Sequence, residues 1–169
     1  TKGLVSIGDK EKIDLSVVRS VIKSNENRKK LLLKRVHSII GKKIRNKKIA
    51  FLGVTFKPNT DDMRDSASLS MIPYLQKKGA KISYYEPTGE KKVFSKLKNC
   101  KFYNQIRLTC QDADLIILHT EWDEFKTLDF NKLVKNKKYK LYDLRNLYNH
   151  SEMIKNKIKY YSIGRAVFN

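Results

Sequence analysis

The sequence predicts an α/β fold: a Rossmann-like, doubly wound, mostly parallel sheet preceded by a long central helix. Three observations predict it. From Lys48 onward, short apolar runs alternate with stretches of helical periodicity, the pattern of strand–helix–strand units that set parallel strands side by side. Residues Leu115-Ile116-Ile117-Leu118 are apolar without a break, as a strand covered on both faces requires. Upstream, residues 14–40 contain neither Pro nor Gly, so one helix can run their whole length.

Taken in order, residues 1–12 are polar, carry Gly3 and Gly8, and give no predicted element. Asp14 is a suitable N-cap for a helix starting near Leu15, because its carboxylate can accept from free N–H groups of the first turn. Leu15, Val18, Ile22, Asn25, Lys29, Leu32, Val36 and Ile39 step by alternating threes and fours, the spacing of a helix-packing seam. Asn25 and Lys29 are its polar members. A helix lying on its own domain would leave them exposed, whereas one that joins two domains or pairs with another subunit could use them to fix register. Length favours the second arrangement, since about 26 residues rise about 39 Å, more than a small domain needs.

Residues 41–47 form a basic connector. Beyond it the pattern predicts a strand at 49–53, a helix at 66–78 containing Pro73, and a strand at 80–85. That helix stops at Lys77-Lys78-Gly79, with cations in the last turn and glycine just past it. A short basic helix at 89–99, a strand at 100–103 and the buried strand at 115–119 follow. A short helix at 129–135, a strand at 139–143, a helix at 151–157 capped by Ser151 and a strand at 160–163 complete the series. Two segments result: 1–46, a central helix and connector, and 47–169, a Rossmann-like domain.

The net charge of +20 would suit a polyanionic partner. Its distribution does not: the cations are mostly Lys, spread from Lys2 to Arg165 with no dominant block and no aromatic-interleaved motif. Lys, Asn, Ile and Tyr are abundant together, which fits a base-composition bias of the gene. No nucleic acid is therefore expected as a partner. No apolar run approaches the roughly 20 residues that span a bilayer, so no membrane partner is expected and the expected location is cytoplasmic. Cys100 and Cys110 form no C-x-x-C pair and the histidines fall on different elements, so no metal site is expected, and unpaired thiols suit a reducing compartment.

In a doubly wound sheet, ligands bind outside the C-terminal ends of the strands. The loops there are 54–65, 86–89, 120–126, 144–149 and 164–165. They carry the cations Lys57, Arg64, Lys126, Arg145 and Arg165 beside the rings Phe56, Trp122 and Phe125, a set that suits a ligand with phosphate charge and a flat or sugar-like body. After the first strand there is no G-x-G-x-x-G, so phosphate would have to be held by side chains rather than by a glycine-rich turn.

The segment Gly53-Val54-Thr55-Phe56-Lys57-Pro58-Asn59-Thr60-Asp61-Asp62-Met63-Arg64-Asp65-Ser66 closely resembles the G-L-x-F-K-P-x-T-D-D-x-R-E-S segment of the nucleotide-sugar dehydrogenases, the UDP-glucose/GDP-mannose dehydrogenase family, in their C-terminal domain. Further matches follow in order: Gly79-Ala80, Tyr85-Glu86-Pro87, Ala113-Asp114, Thr120-Glu121-Trp122, Asp143-Leu144-Arg145-Asn146 and Ser162-Ile163-Gly164-Arg165. Upstream, Asn25-Glu26-Asn27-Arg28 is similar to the family's central-helix segment. Thr-Glu-Trp followed by Phe-Lys is most like the UDP-glucose 6-dehydrogenase branch, while the enzymes for UDP-N-acetylmannosamine and GDP-mannose share much of the rest. Glu86 stands where the family usually has Asp, and Asp65 where Glu is commoner; both swaps keep the charge.

The resemblance implies an NAD-dependent oxidation of the sugar C6 alcohol to a carboxylate, through a cysteine thioester. The family's nucleophile segment, of the type G-G-S-C-F-P-K-D, does not occur here, and neither Cys100 nor Cys110 occupies its position, so no catalytic residue is assigned. The chain is thus expected to be a C-terminal portion, an expressed fragment or the product of a truncated or split gene, lacking the NAD-binding half and inactive alone. By resemblance, Lys57 and Phe56 contact the UDP-sugar, Arg145 faces it, and Arg64 reaches toward the NAD pyrophosphate. The long helix would link domains and pack across a homodimer. Asp61 and Asp62 are expected to cap the following helix or hold the loop. A non-catalytic nucleotide-sugar-binding protein is the alternative.

Overall fold

A computed structural model describes residues 2–41 and 43–165; Thr1 and Lys42, within the expected 1–46 segment, and residues 166–169, within the expected 47–169 segment, lie outside the described residues. The chain divides into two compact units between Arg35 and Val36.

The first unit holds α1 (Lys2–Lys10) and most of α2 (Ser16–Ile40). The polar, glycine-bearing N-terminus is thus helical, against its weak propensity. At Gly8 a Cβ would lie 2.6 Å from Leu15 Cδ1, so glycine lets α1 approach the segment that leads into α2 without displacing the Leu15 side chain. Ile13 N–H donates to Gly8 O at 2.8 Å, and Arg19 pairs with Asp9. Arg19 N–H donates to Leu15 O, which puts Leu15, rather than Asp14, at the cap position of α2. Along the predicted seam, Leu32, Val36 and Ile39 are buried and Leu15, Val18, Ile22 and Lys29 half-buried, while Asn25 is exposed.

The second unit is a six-stranded sheet: β1 (Lys48–Leu52), β2 (Lys81–Tyr85), β3 (Cys100–Phe102), β4 (Leu115–Leu118), β5 (Lys140–Asp143) and β6 (Lys159–Ser162). The order is β3-β2-β1-β4-β5-β6 and every pairing is parallel. The helices are α3 (Ser68–Lys77), α4 (Lys92–Ser95), α5 (Ile106–Cys110), α6 (Phe130–Leu133) and α7 (His150–Lys155). Strand order reverses between β1 and β4, which makes their C-terminal ends the switch point of the sheet. The register places Leu52 opposite Tyr85 and Leu118, Leu118 opposite Asp143, and Asp143 opposite Ser162. The residues after these ends therefore emerge along one edge.

β4 is buried at every position, as its unbroken apolar run requires. On one face Ala50, Leu52, Ile116, Leu118, Phe125, Phe130, Leu141 and Tyr160 form a continuous cluster, each large side chain contributing about 1.5–3 kcal/mol through burial. Met71, Ile72 and Leu75 bury one side of α3. Pro73 lies within that helix and forfeits one backbone bond. Five-residue α5 and the 3-10 turn Asp123–Phe125 are too short to show a helical period in sequence, and the expected helix at 89–99 contracts to α4. Asp129 caps α6, and Asn149, not Ser151, caps α7, accepting from Ser151 N and Glu152 N.

β1 is followed by Gly53, whose φ is +73° and whose added Cβ would lie 2.6 Å from Thr120 Cβ. Gly53→Ala therefore combines a left-handed backbone with a collision and is expected to cost about 2–4 kcal/mol. Gly89 has φ +86° in open space, so Gly89→Ala is expected to cost only about 1 kcal/mol. Urea unfolding of the two variants measures the difference.

Candidate functional site

The edge loops are organised around the turn after β1. Glu86, 1% exposed, accepts on Oε2 from Val54 N–H (2.7 Å) and Thr55 N–H (3.2 Å), and the single hydroxyl hydrogen of Thr55 is shared between Oε2 at 3.3 Å and Lys57 O at 3.2 Å. Thr88 Oγ1 donates to the other Glu86 oxygen at 3.1 Å. A buried carboxylate is tolerated only with such a set of donors. These are the N–H groups that face a pyrophosphate in a dinucleotide-binding turn; here a side chain of the same protein occupies them.

Val54 O accepts from the hydroxyls of Ser66 (2.7 Å) and Ser68 (2.6 Å), drawing the far end of the loop back onto β1. Between them, Phe56 N–H donates to Asp62 O at 2.9 Å. Asp62 takes the Arg64 guanidinium on both oxygens, with Nε at 3.0 and 3.1 Å and Nη2 at 2.9 Å, and the Arg64 N–H at 2.8 Å. The Arg64 hydrogen bonds, side chain first, hold the Asp62 carboxyl down at about 2. Asp62 therefore holds the loop; α3 begins after Ala67 with no side-chain cap. Within the loop, Phe56 is 47% exposed and Lys57 is exposed, forming no salt bridge among the described residues although its charge reaches Asp62.

Arg145 joins three of the loops. Its Nη2 donates to Phe56 O at 3.1 Å and its Nε to His119 O at 2.7 Å. Glu121 Oε2 lies 2.9 Å from the same Nε but accepts no hydrogen bond, because the single Nε hydrogen points at His119 O; charge alone holds the two together. The base of Arg145 is fixed by Asp143, which is fully buried. Asp143 accepts from Arg145 N at 2.8 Å, Leu147 N at 2.7 Å and the Tyr160 hydroxyl at 2.8 Å.

Thr120 Oγ1 donates to Thr55 O at 2.8 Å. That hydroxyl has one hydrogen, so His119 Nδ1, 3.0 Å away, must donate to it and carry the imidazole proton. Burial, with the Arg145 charge added, pushes the His119 pKa down to about 3, in keeping with a neutral ring.

Of the residues read from the sequence, Phe56, Lys57 and Arg145 come together at the switch point, and Arg64 stands on the outer side of the same loop. Lys126 is paired with Asp123 at 2.6 Å, and Phe125 is buried in the core. Sequence reasoning missed the organising roles of Glu86, Thr120 and Asp143. The available signal was position: each lies in a quoted motif at a strand end. Burial pushes the Cys100 and Cys110 thiols up to about 12, so both are protonated near neutrality.

Residues 50–150 match the sequence model of the UDP-glucose/GDP-mannose dehydrogenase family, UDP binding domain. The chain is 37% identical over 166 residues to UDP-glucose 6-dehydrogenase of Rhizobium meliloti (strain 1021), covering 98% of this chain and 38% of that protein. It is 30% identical over 168 residues to UDP-glucose 6-dehydrogenase TuaD of Bacillus subtilis (strain 168), covering 98% and 36%. The chain thus spans little more than a third of the length of these curated relatives. Among solved structures, a UDP-glucose dehydrogenase from the archaeon Pyrobaculum islandicum aligns with TM-score 0.77 at 21% identity, over 96% of this chain and 35% of that one. A GDP-mannose dehydrogenase from Pseudomonas aeruginosa aligns with TM-score 0.72 at 20% identity, over 96% and 37%. At these identities the structural likeness concerns the fold.

His119 gives the site a pH signature. Its pKa falls from 6.5 to about 3 on folding, so below pH 6.5 the unfolded chain binds a proton that the folded one refuses. The stabilisation is complete above pH 6.5 and declines by up to about 1.4 kcal/mol per pH unit toward pH 3. His119→Gln is expected to flatten this part of the stability–pH curve, measured by urea unfolding from pH 7 to 4.

Proposed function

The chain belongs to the UDP-glucose/GDP-mannose dehydrogenase family and carries its UDP-binding domain, and from that premise we propose that it is the C-terminal portion of an NAD-dependent UDP-glucose 6-dehydrogenase. In this reading, residues 47–169 bind the UDP-sugar that the complete cytoplasmic enzyme converts to UDP-glucuronate. Residues 1–46 form the central helix and connector that join the domains and pack across a homodimer. The choice of UDP-glucose is supported by relatives of that name at 37% and 30% identity.

The observation that carries the proposal is the meeting of Phe56, Lys57 and Arg145 at the switch point of the sheet. Lys57 supplies an exposed cation that forms no salt bridge among the described residues, suited to a diphosphate oxygen. The exposed Phe56 ring offers an apolar surface beside it. Arg145, with Nε and Nη2 committed to backbone oxygens, presents the remainder of its guanidinium from a fixed position.

NAD is the cofactor of the proposed enzyme, and this chain does not hold it at the β1 turn, where Glu86 takes the N–H groups a pyrophosphate would need. The dinucleotide would be bound by an N-terminal half outside this sequence. Arg64, with its side chain 89% exposed, would direct a cation toward its pyrophosphate. No nucleophile is assigned within the chain, because the high pKa values of Cys100 and Cys110 disfavour the thiolate that thioester formation requires. The chain alone should therefore bind without turning over.

Calorimetry tests this reading. UDP and UDP-glucose should bind, GDP more weakly, and Lys57→Ala and Arg145→Ala should each weaken UDP about tenfold, or about 1.4 kcal/mol. Equal UDP affinity in the wild type and both variants would sink the site assignment.

A further inference from the structure

A cavity of about 470 Å³ lies along the β2–β3 side of the sheet, opening at the N-terminal ends of its strands. Lys48 and Lys81, the first residues of β1 and β2, line it. Its lower end is thus about 16 Å, the length of a five-residue strand, from the strand C-termini, and its upper end at Tyr103 is offset sideways from the switch point, which lies between β1 and β4, by the width of β2 and β3. The cavity runs from its lower end up the face of β2 and β3 beside α5, where Ile82, Leu97 and Leu108 supply apolar walls and Tyr103 a ring. Its volume falls within the range of small-molecule sites, roughly 300–1,000 Å³.

The charge of its lining is one-sided. Lys48, Lys81, Lys98 and Lys101 contribute to it, and Asp112 is its single acid. Asp112 Oδ2 is already 3.4 Å from Lys48 Nζ. Lys81 and Lys98 have no acidic partner among the described residues, and Lys101 Nζ lies 4.7 Å from the centre of the Tyr103 ring. Four lysines against one aspartate leave the lining at +3. Cations gathered around a partly apolar hollow repel one another, and a multiply charged anion relieves that repulsion. The side-chain amides of Asn99 and Gln111, also in the lining, have no hydrogen-bond partner among the described residues and add neutral donors.

We propose that this cavity is a second ligand site, separate from the UDP-sugar crevice, for a nucleotide-class phosphorylated molecule. The phosphoryl groups lie among Lys81, Lys98 and Lys101, and the planar base rests against Leu108 and Tyr103. The anion supplies the charge that Asp112 does not, and the ring accounts for the apolar walls that a bare anion would leave unused.

Calorimetry at physiological salt, with ADP and inorganic pyrophosphate as probes, tests the site. Both should bind, ADP more tightly. Lys98→Glu/Lys101→Glu should weaken both at least tenfold, and Leu108→Trp, which fills the hollow without changing its charge, should weaken ADP at least as much. Lys57→Ala, at the opposite edge, should leave ADP binding unchanged. The proposal fails if neither probe binds or if Leu108→Trp has no effect. It fails equally if Lys57→Ala removes ADP binding, which would place the ligand in the crevice. An identical loss in Lys155→Glu/Lys159→Glu would reduce the attraction to overall charge and overturn the site.

Discussion

The carboxylate of Glu86 and the N–H groups of Val54 and Thr55 form the contact on which the functional edge depends. It joins residues 31 and 32 positions apart at the point where β1 gives way to its loop. Gly53 turns there with positive φ and leaves room for Thr120, whose hydroxyl then reaches Thr55 O. From the other side Ser66 and Ser68 close on Val54 O. Each buried polar group in this knot has a partner, and a buried polar network is rigid only when fully satisfied. The position of Lys57 follows from that rigidity.

The same contact determines what kind of ligand the edge can take. Strand order and parallel pairing are those of a dinucleotide-binding sheet, yet the turn that would receive a pyrophosphate is filled from within. Recognition must then come from side chains projecting over the turn, and these must be held in place to bind tightly. Arg145 meets that need: its backbone N–H is held by Asp143 and its guanidinium by Phe56 O and His119 O. A long cation tethered at both ends loses little further freedom when a ligand arrives.

The features most legible in the sequence were those with a period or a motif. The unbroken run of β4 and the alternation of strand and helix appear in the structure because burial acts on every residue of the pattern, while the seam of α2 is buried only at its C-terminal members Leu32, Val36 and Ile39. The edge cations were legible as well, since strand ends in a parallel sheet share an edge whatever their order. What stayed hidden depended on distant partners or on very short elements. Nothing local marks Glu86 as the acceptor for Val54 and Thr55, because the pairing exists only once β1 and β2 lie side by side. α1 was hidden for a related reason: Gly8 lowers helix propensity in isolation, and its advantage is the close approach to Leu15. Phe125 illustrates the opposite error, an aromatic in an edge loop that turns inward to the core.

The acids at this edge clarify what the basic composition means there. Asp62 is committed to Arg64, Glu86 to the β1 turn, Glu121 to Arg145 and Asp143 to the loop after β5. Each is used as an acceptor or counter-ion, while Asp61 and Asp65 stay exposed in the same loop as Lys57. A bias toward lysine across the whole chain would raise the general potential but would not explain why these four carboxylates are each tied to a partner at the edge. Tying these acids to partners leaves Lys57 projecting from the edge outside any salt bridge among the described residues, and there Phe56 adds a surface for a ring. That combination favours a compact phosphate-bearing ligand over an extended polyanion, for which the dispersed lysines offer charge without a continuous track.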